Sequence, residues 1–451
     1  MLAASIQTDT MKIDKPSFIE LFKTKFWTKL NESIVPFTDL PIDKEAFLNI
    51  LHAQVTDFTY TPSHPRHYIL VNKHNGVTRF VPTFNRKDYC VYYLCIKLLE
   101  HEIAVNRVEG TFGGWTLGNP IRLKEEQEII ELDYVPFNTI NELSWAQEWQ
   151  SFQGIARKYN ETGAFGYYIN IDIANFYDTI NLAILERKIR HVIPKNKQDA
   201  VTLLLHFLQN WNKRIEGYNI KTVGLPQDEI GDCSRILANF YLQDYDFAMK
   251  TICDKYKSQF IRFADDQIIF THDKETARLI LFEASKELFK INLNINSSKV
   301  KEFASRAEFE TYWAFEIFDL LRDKENKDDI NKGVEKYFQL IDSNTRFKDS
   351  SVLKRLLTIN FSLIEPKYRH RLISGFFDRD FLFGLQLWHL RRIRIAVGND
   401  NDFFKQLDSM IPNALFNSFL FNLRLFYSKD RKDFDLKVID DRIKELENAS
   451  R

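Results

Sequence analysis

Phe260-Ile-Arg-Phe-Ala-Asp265-Asp266-Gln-Ile-Ile-Phe270 is the stretch on which the reading of this chain turns. Apolar residues flank Ala264-Asp265-Asp266-Gln267 on both sides, the pattern of a β-hairpin carrying two adjacent carboxylates at its tip. Two like charges side by side repel, so such a pair needs a cation to hold it. Taken alone, however, an Asp-Asp pair at a turn is ordinary turn chemistry.

A second acidic position changes that. Ile169, Ile171 and Ile173 alternate with Tyr168, Asn170 and Asp172. This period predicts a strand that buries the isoleucines on one face and presents Asp172 on the other. Aspartate is disfavoured in strands and costly to bury unless it is paired or binds metal. Asp172, Asp265 and Asp266 together would make a hard, all-oxygen site suited to Mg²⁺, with Mn²⁺ as the alternative. Two such ions, roughly 4 Å apart, activate an attacking hydroxyl and stabilise a departing pyrophosphate.

Between these positions lie Gly224-Leu225-Pro226-Gln227, a rigid turn, and Ser234-Arg-Ile-Leu-Ala-Asn239-Phe240-Tyr241-Leu242. In the latter, Ile236 with Phe240 and Leu237 with Tyr241 recur at four-residue steps, which predicts an amphipathic helix.

With these pieces in order, the chain resembles the reverse transcriptases. Asn170-Ile-Asp172-Ile-Ala-Asn-Phe-Tyr177-Asp178 looks like their first palm motif. Gly224-Leu-Pro-Gln227 through Ser234 and Asn239 looks like the second. Arg262-Phe-Ala-Asp265-Asp266 looks like the third, with Phe263 where many members have Tyr. Leu293-Asn-Ile-Asn296-Ser-Ser-Lys299 is similar to the fourth, and Lys73, Gly76, Arg79 and Pro82 resemble the fingers motif. The match spans roughly residues 65 to 315, and its specificity lies in the set rather than in any one motif.

The resemblance implies an RNA-directed DNA polymerase that uses deoxynucleoside triphosphates with RNA or single-stranded DNA. Asp172, Asp265 and Asp266 would be the catalytic and metal carboxylates of a two-Mg²⁺ site, with the backbone carbonyl of Ile173 as a further ligand. Tyr177 would be the steric gate that selects deoxynucleotides. Gln227 would touch the incoming nucleotide and Lys299 its phosphates, and Lys73 and Arg79 would hold the triphosphate, which needs such cations around it. Lys73 and Arg79 also read as solvated hairpin charges. Two departures stand out: Gln227 to Ser234 is two residues longer than the common pattern, and Asp228 replaces the usual Gly. No retron-type signature, appended endonuclease motif or maturase-like tail is found. The helical C-terminal third instead resembles the abortive-infection and unknown-group reverse transcriptases of bacterial antiphage defence. Those prime on protein or copy a dedicated non-coding RNA, and a homo-oligomer or a second defence protein would be further partners.

The remaining sequence sets the frame. Residues 17–60 read as helical, and Thr61-Pro62-Ser63-His64-Pro65 is a breaker cluster. Tyr68–Val71 and Thr78–Val81 flank Asn75-Gly76, a β-hairpin signature. Asp88 is the expected cap of a helix through Leu99, and the Gly- and aromatic-rich residues 110–120 are expected as a loop. Arg322 to Lys332 is a dense charge run expected as a linker or exposed turn, followed by helices. The expected fold is therefore α+β: a right-hand polymerase with fingers and a ferredoxin-like palm bearing an antiparallel sheet, then an all-α C-terminal domain. The expected divisions are an N-terminal helical segment at 1–60, a fingers-palm domain at 61–320, and a thumb-like or helical-repeat domain at 321–451.

The 451 residues suit two or three cores. Hydrophobic content is 44% and charged content 27%, the balance of a globular protein. Formal net charge is zero, which weakly opposes nucleic-acid binding overall. Locally it is different: residues 353–396 carry nine Lys/Arg against three acids, interleaved with aromatic residues. Such a surface grips single strands, or else it is a plain helical core with solvated arginines. Four cysteines without a C-x-x-C pair point to neither a zinc site nor a disulfide framework, and a reducing cytoplasm fits. No signal peptide and no run of about 18 apolar residues is seen, so no membrane association is expected. Two other readings stay open: an inactive palm serving as an RNA-binding scaffold, and a different palm enzyme such as a nucleotide cyclase. The Gly-Leu-Pro-Gln turn and Tyr177 argue against the cyclase.

Overall fold

A computed structural model of the chain describes residues 12–22, 24–37, 42–74, 76–117, 121–123, 132–134, 145–212, 224–228, 232–398 and 401–449. They fall into two compact units. One comprises Met1–His67 with Pro82–Arg306, the other Tyr68–Val81 with Ala307–Arg451. Strands β1 (His67–His74) and β2 (Val77–Thr83) form the expected hairpin. Gly76 turns it with φ 75°, where a residue lacking Cβ is at ease; Asn75 lies outside the described residues. The strand segment Tyr68–Val81 groups with the C-terminal unit.

The first unit is built on a five-stranded sheet. Its strands are β3 (Thr111–Phe112), β6 (Tyr167–Ile171), β7 (Gln259–Phe263), β8 (Asp266–Thr271) and β9 (Lys301–Phe303), in the order β3-β7-β8-β6-β9. All pairings are antiparallel except β3 with β7. A separate antiparallel pair joins β4 (Ile121–Leu123) to β5 (Leu132–Tyr134). The helices Asp232–Lys255 and Lys274–Lys290 pack on the sheet, and Arg86–Ala104 packs behind the former. Each fully buried large apolar side chain in this layer contributes about 1.5–3 kcal/mol.

Several expectations are corrected here. The 110–120 segment is not wholly a loop, because Thr111 and Phe112 add a parallel edge strand to β7. Strand β6 does not present one polar face: Tyr168 is as buried as Ile169, its ring against Phe270 and its hydroxyl on the Phe165 carbonyl. The strand also stops at Ile171, so Asp172 sits just past its end. The helix Asp232–Lys255 is not amphipathic across the motif, since Ile236 to Leu242 are all buried between sheet and helices. Asp88 does not cap its helix. The helix starts at Arg86, and the buried Asp88 carboxylate accepts from the Tyr60 hydroxyl at 2.8 Å and the Ser63 N–H at 3.2 Å. That carboxyl is pushed up to about 6, first by burial.

The second unit is helical from Phe315–Leu320 to Lys437–Ala449. The charge run at 322–332 is only in part a turn, because Asn326 caps a helix that begins at Lys327 through the N–H groups of Asp328 and Asp329. The hairpin belongs to this unit through Asn417. Its buried side chain accepts from Leu70 N–H at 2.5 Å and donates to the Tyr68 carbonyl at 3.0 Å.

Candidate active site

Where β7 turns into β8, Phe263 pairs with Asp266, leaving Ala264 and Asp265 as the turn. Ala264 takes φ 51°, a left-handed conformation that alanine rarely adopts. The surroundings enforce it. The Ala264 N–H donates to the Phe112 carbonyl at 3.0 Å, and the Ala264 carbonyl accepts from Arg262 Nη1 at 2.8 Å. Gly113 passes so close that a Cβ there would lie 2.7 Å from Ala264 N.

Arg262 is wholly buried in this strand. Its Nε and Nη2 grip the Asp246 carboxylate at 2.7 and 2.5 Å, a two-pronged ion pair, and Nη1 also donates to the Asn239 side chain at 2.7 Å. Asn239 in turn donates to the Gly114 carbonyl at 2.8 Å. The N–H groups of Gly113 and Gly114 close on the buried Glu148 carboxylate. Burial raises the Glu148 carboxyl, and these two N–H groups and Arg107 pull it back. A single hydrogen-bonded chain thus runs from Glu148 to the acidic turn. Glu148, Asn239, Asp246 and Arg262 support the site, a role that no sequence motif announces. One signal was present: Asn239 and Asp246 stand seven residues apart, on one face of an otherwise apolar helix.

On the neighbouring strand end, the Asp172 carbonyl accepts from Asn296 N–H at 2.8 Å, and Ala174 N–H donates to Asn294 O at 2.8 Å. Ile173 bridges Ile295. The Asp172 carboxylate accepts from Lys299 Nζ at 2.7 Å and Asn296 Nδ2 at 3.3 Å. Asp265 is half-buried and Asp266 exposed. The Asp265 carboxyl is pushed up to about 7, first by burial, then by the charges of Asp266 and Asp172; Lys299 opposes this. Asp172, Asp265, Asp266 and Lys299 therefore share one electrostatic neighbourhood. Among the described residues, no three Asp, Glu, His or Cys side chains already form a cage for a metal ion.

The Gly224-Leu225 end of the turn that carries Gln227 packs on the Tyr177 backbone. Asn175, at φ 47°, starts the short helix Phe176–Thr179 that carries Tyr177. Leu225 N–H donates to the Tyr177 carbonyl at 2.9 Å. Gly224 is required there, because a Cβ would fall 2.1 Å from that carbonyl oxygen. The Pro226 carbonyl accepts from Ser234 Oγ at 2.5 Å, and Ser234 Oγ lies 2.8 Å from the Tyr92 hydroxyl. Gln227 is half-buried and Asp228 buried; residues 229–231 of the lengthened loop lie outside the described residues. Lys73 and Arg79 are exposed on the β1–β2 hairpin, in the other unit.

Residues 120–319 match the family model described as Reverse transcriptase (RNA-dependent DNA polymerase). The match contains both aspartate motifs and begins downstream of Lys73 and Arg79. No curated protein is similar enough to the chain to match it. Residues 120–319 are a reverse transcriptase domain, which implies the right-hand polymerase fold, and the protein is an enzyme, an RNA-directed DNA polymerase of the nucleotidyltransferase class.

Proposed function

We propose that the chain adds deoxynucleotides to a 3′ end by two-metal phosphoryl transfer at Asp172, Asp265 and Asp266, in bacterial antiphage defence. One observation carries the chemistry: Ile171 of β6 pairs with Gln267 of β8, so Asp172 lies at the same strand end as Asp265 and Asp266, whose charges with that of Asp172 add to burial in raising the Asp265 carboxyl. An all-oxygen set short of positive charge fits a hard divalent cation, Mg²⁺ or Mn²⁺. The three carboxylates and the Ile173 carbonyl would hold two ions, which when bound activate the attacking hydroxyl and neutralise the departing pyrophosphate. Lys299, now spent on Asp172, is the group we assign to the incoming phosphates. Tyr177 excludes a 2′-hydroxyl, Gln227 touches the nucleotide, and Lys73 and Arg79 hold the triphosphate.

In this reading the five-stranded sheet is the palm, the β1–β2 hairpin belongs to the fingers, and the C-terminal helices form a thumb-like or repeat domain. The defence role rests on the likeness of those helices to the abortive-infection group. It leaves two routes: copying a dedicated non-coding RNA, or protein-primed synthesis without a template. No helix among the described residues is long and apolar enough to cross a membrane, and the four buried free cysteines support a reducing compartment, the cytoplasm.

The test is incorporation of labelled deoxynucleotides with Mg²⁺ by the purified chain and by Asp265→Ala/Asp266→Ala. The double variant should lose at least about a thousandfold in rate, the scale of removing groups that stabilise developing charge, while melting as the parent does. Retained incorporation would overturn the mechanism. A parent chain that binds RNA and incorporates nothing would make the domain a binding scaffold.

A further inference from the structure

The basic segment of the second unit sorts its cations into two sets. Lys367 pairs with Glu365 at 2.9 Å, Arg371 with Asp342 at 2.9 Å, and Arg394 with Asp430 at 2.9 Å. Arg355 and Arg369 bond only carbonyl oxygens among the described residues, Arg355 that of Leu321 at 2.7 Å, Arg369 those of Ile364 at 2.6 Å and Ser362 at 2.9 Å. These bonds fix the guanidinium groups and leave their charge unneutralised. Lys324 and Arg392 have no partner among the described residues.

The unneutralised set gathers in one place. Lys324, Arg369 and Arg392 line an open cavity of about 690 Å³, with Glu325 the sole acid in its lining and Phe361 and Ile395 in its wall. Arg355 stands close enough to Lys324 to be felt: the Lys324 ammonium is lowered by burial first, then by Arg355 and Arg392. Cations gathered around one cavity, at a cost to the Lys324 ammonium, leave a place that an anion would stabilise.

The helix Leu387–Val397 says which anion. Its buried face is His389, Leu390 and Ile393. On the opposite face, Trp388, Arg392 and Ile395 follow at four- and three-residue steps, with Trp388 44% and Ile395 72% exposed. His389 stacks on the Trp388 ring at 3.6 Å and is kept neutral, its ring lowered to about 4 by burial and by Lys354. Its Nδ1 accepts from Gln386 N–H at 3.1 Å, so the ring beneath Trp388 is itself fixed. An exposed, oriented indole one helical turn from an un-neutralised arginine is the pairing that binds a base and its phosphate together.

We propose that this face of the C-terminal unit is a binding site for a single strand of nucleic acid, with phosphodiesters on Lys324, Arg369 and Arg392 and a base stacked on Trp388. Its occupation requires no nucleotide.

The test uses the full chain with a labelled single-stranded oligothymidylate, no nucleotides, and a salt series. Lys324→Gln/Arg392→Gln should weaken binding about tenfold and flatten the salt dependence by about 1.4, since each single-strand phosphate contact contributes about 0.7 to the slope. Trp388→Ala should weaken it about tenfold with the slope unchanged, and Trp388→Phe should restore most of that loss. Ultraviolet cross-linking of the parent should place the strand on the peptide carrying Trp388. Cross-links confined to residues 120–319, unchanged affinity and slope in all three variants, an equal loss for blunt duplex, or displacement by inorganic tripolyphosphate at the same phosphate concentration would each overturn the proposal. None of these readouts depends on nucleotide incorporation, so they stand or fall separately from the polymerase mechanism.

Discussion

Arg262 and Arg392 show two uses of the same side chain. Arg262 is fully buried and spends its donors inside the molecule, on Asp246, Asn239 and the Ala264 carbonyl. Arg392 is exposed and spends none on any described residue. The first arginine fixes a backbone turn; the second is left for something outside the protein. The difference teaches where to look for each role: structural charge is found where polar groups are mutually satisfied, and ligand-facing charge where they are not.

The largest test of this contrast is Asp246→Ala. It strands a buried guanidinium and should cost about 3–5 kcal/mol of stability, read by denaturant unfolding. Lys324→Gln/Arg392→Gln should leave the same unfolding curve in place; a comparable loss there would erase the distinction. Next is Gly113→Ala, which forces a Cβ to 2.7 Å from Ala264 N at a position with φ 112°. A cost of about 1–3 kcal/mol is expected. Incorporation should fall beyond what that cost explains, because the displaced atoms are those of the acidic turn. An active, fully stable Gly113→Ala would show that the turn is not held from beneath.

The smallest effect concerns pH. With its carboxyl pushed up to about 7, folded Asp265 binds a proton that the unfolded chain releases near pH 4. In the metal-free protein its contribution to stability is therefore full below about pH 4 and is lost as pH rises through about 7. A divalent cation must displace that proton, so its apparent affinity should fall about tenfold for each unit below pH 7. The melting-temperature gain from Mg²⁺ should accordingly grow between pH 5.5 and 8. A gain that is flat over this range would break the link between Asp265 and the cation.

The sequence made the acidic residues legible because their chemistry is local: two carboxylates flanked by strand residues, and a third after alternating isoleucines. Lys299 is expected from the sequence against phosphates; its contact with Asp172, across 127 residues, is one that no local pattern encodes. The support beneath the turn was hidden for a physical reason. Arg262 meets Asp246 sixteen residues away and Asn239 twenty-three away, through a strand-on-helix contact that no local period encodes. Strand β3 leaves no trace in the sequence, because two residues among glycines carry no period at all. Asp88 misled because an acid near a helix start reads the same whether it caps or whether, as here, it is buried against Tyr60.

The joint between Gly224 and Tyr177 has a consequence for how this enzyme can vary. Leu225 hangs on the Tyr177 carbonyl, and there is no room for even a methyl group between the two segments. The tyrosine assigned to judging the sugar and the loop assigned to touching the nucleotide are thus one mechanical part. A lineage that relaxes one by shifting the backbone loosens the other with it. If Tyr177 is the gate proposed above, sugar choice could drift without moving the loop by trimming its ring, which would make that side chain a narrow passage for an altered substrate range.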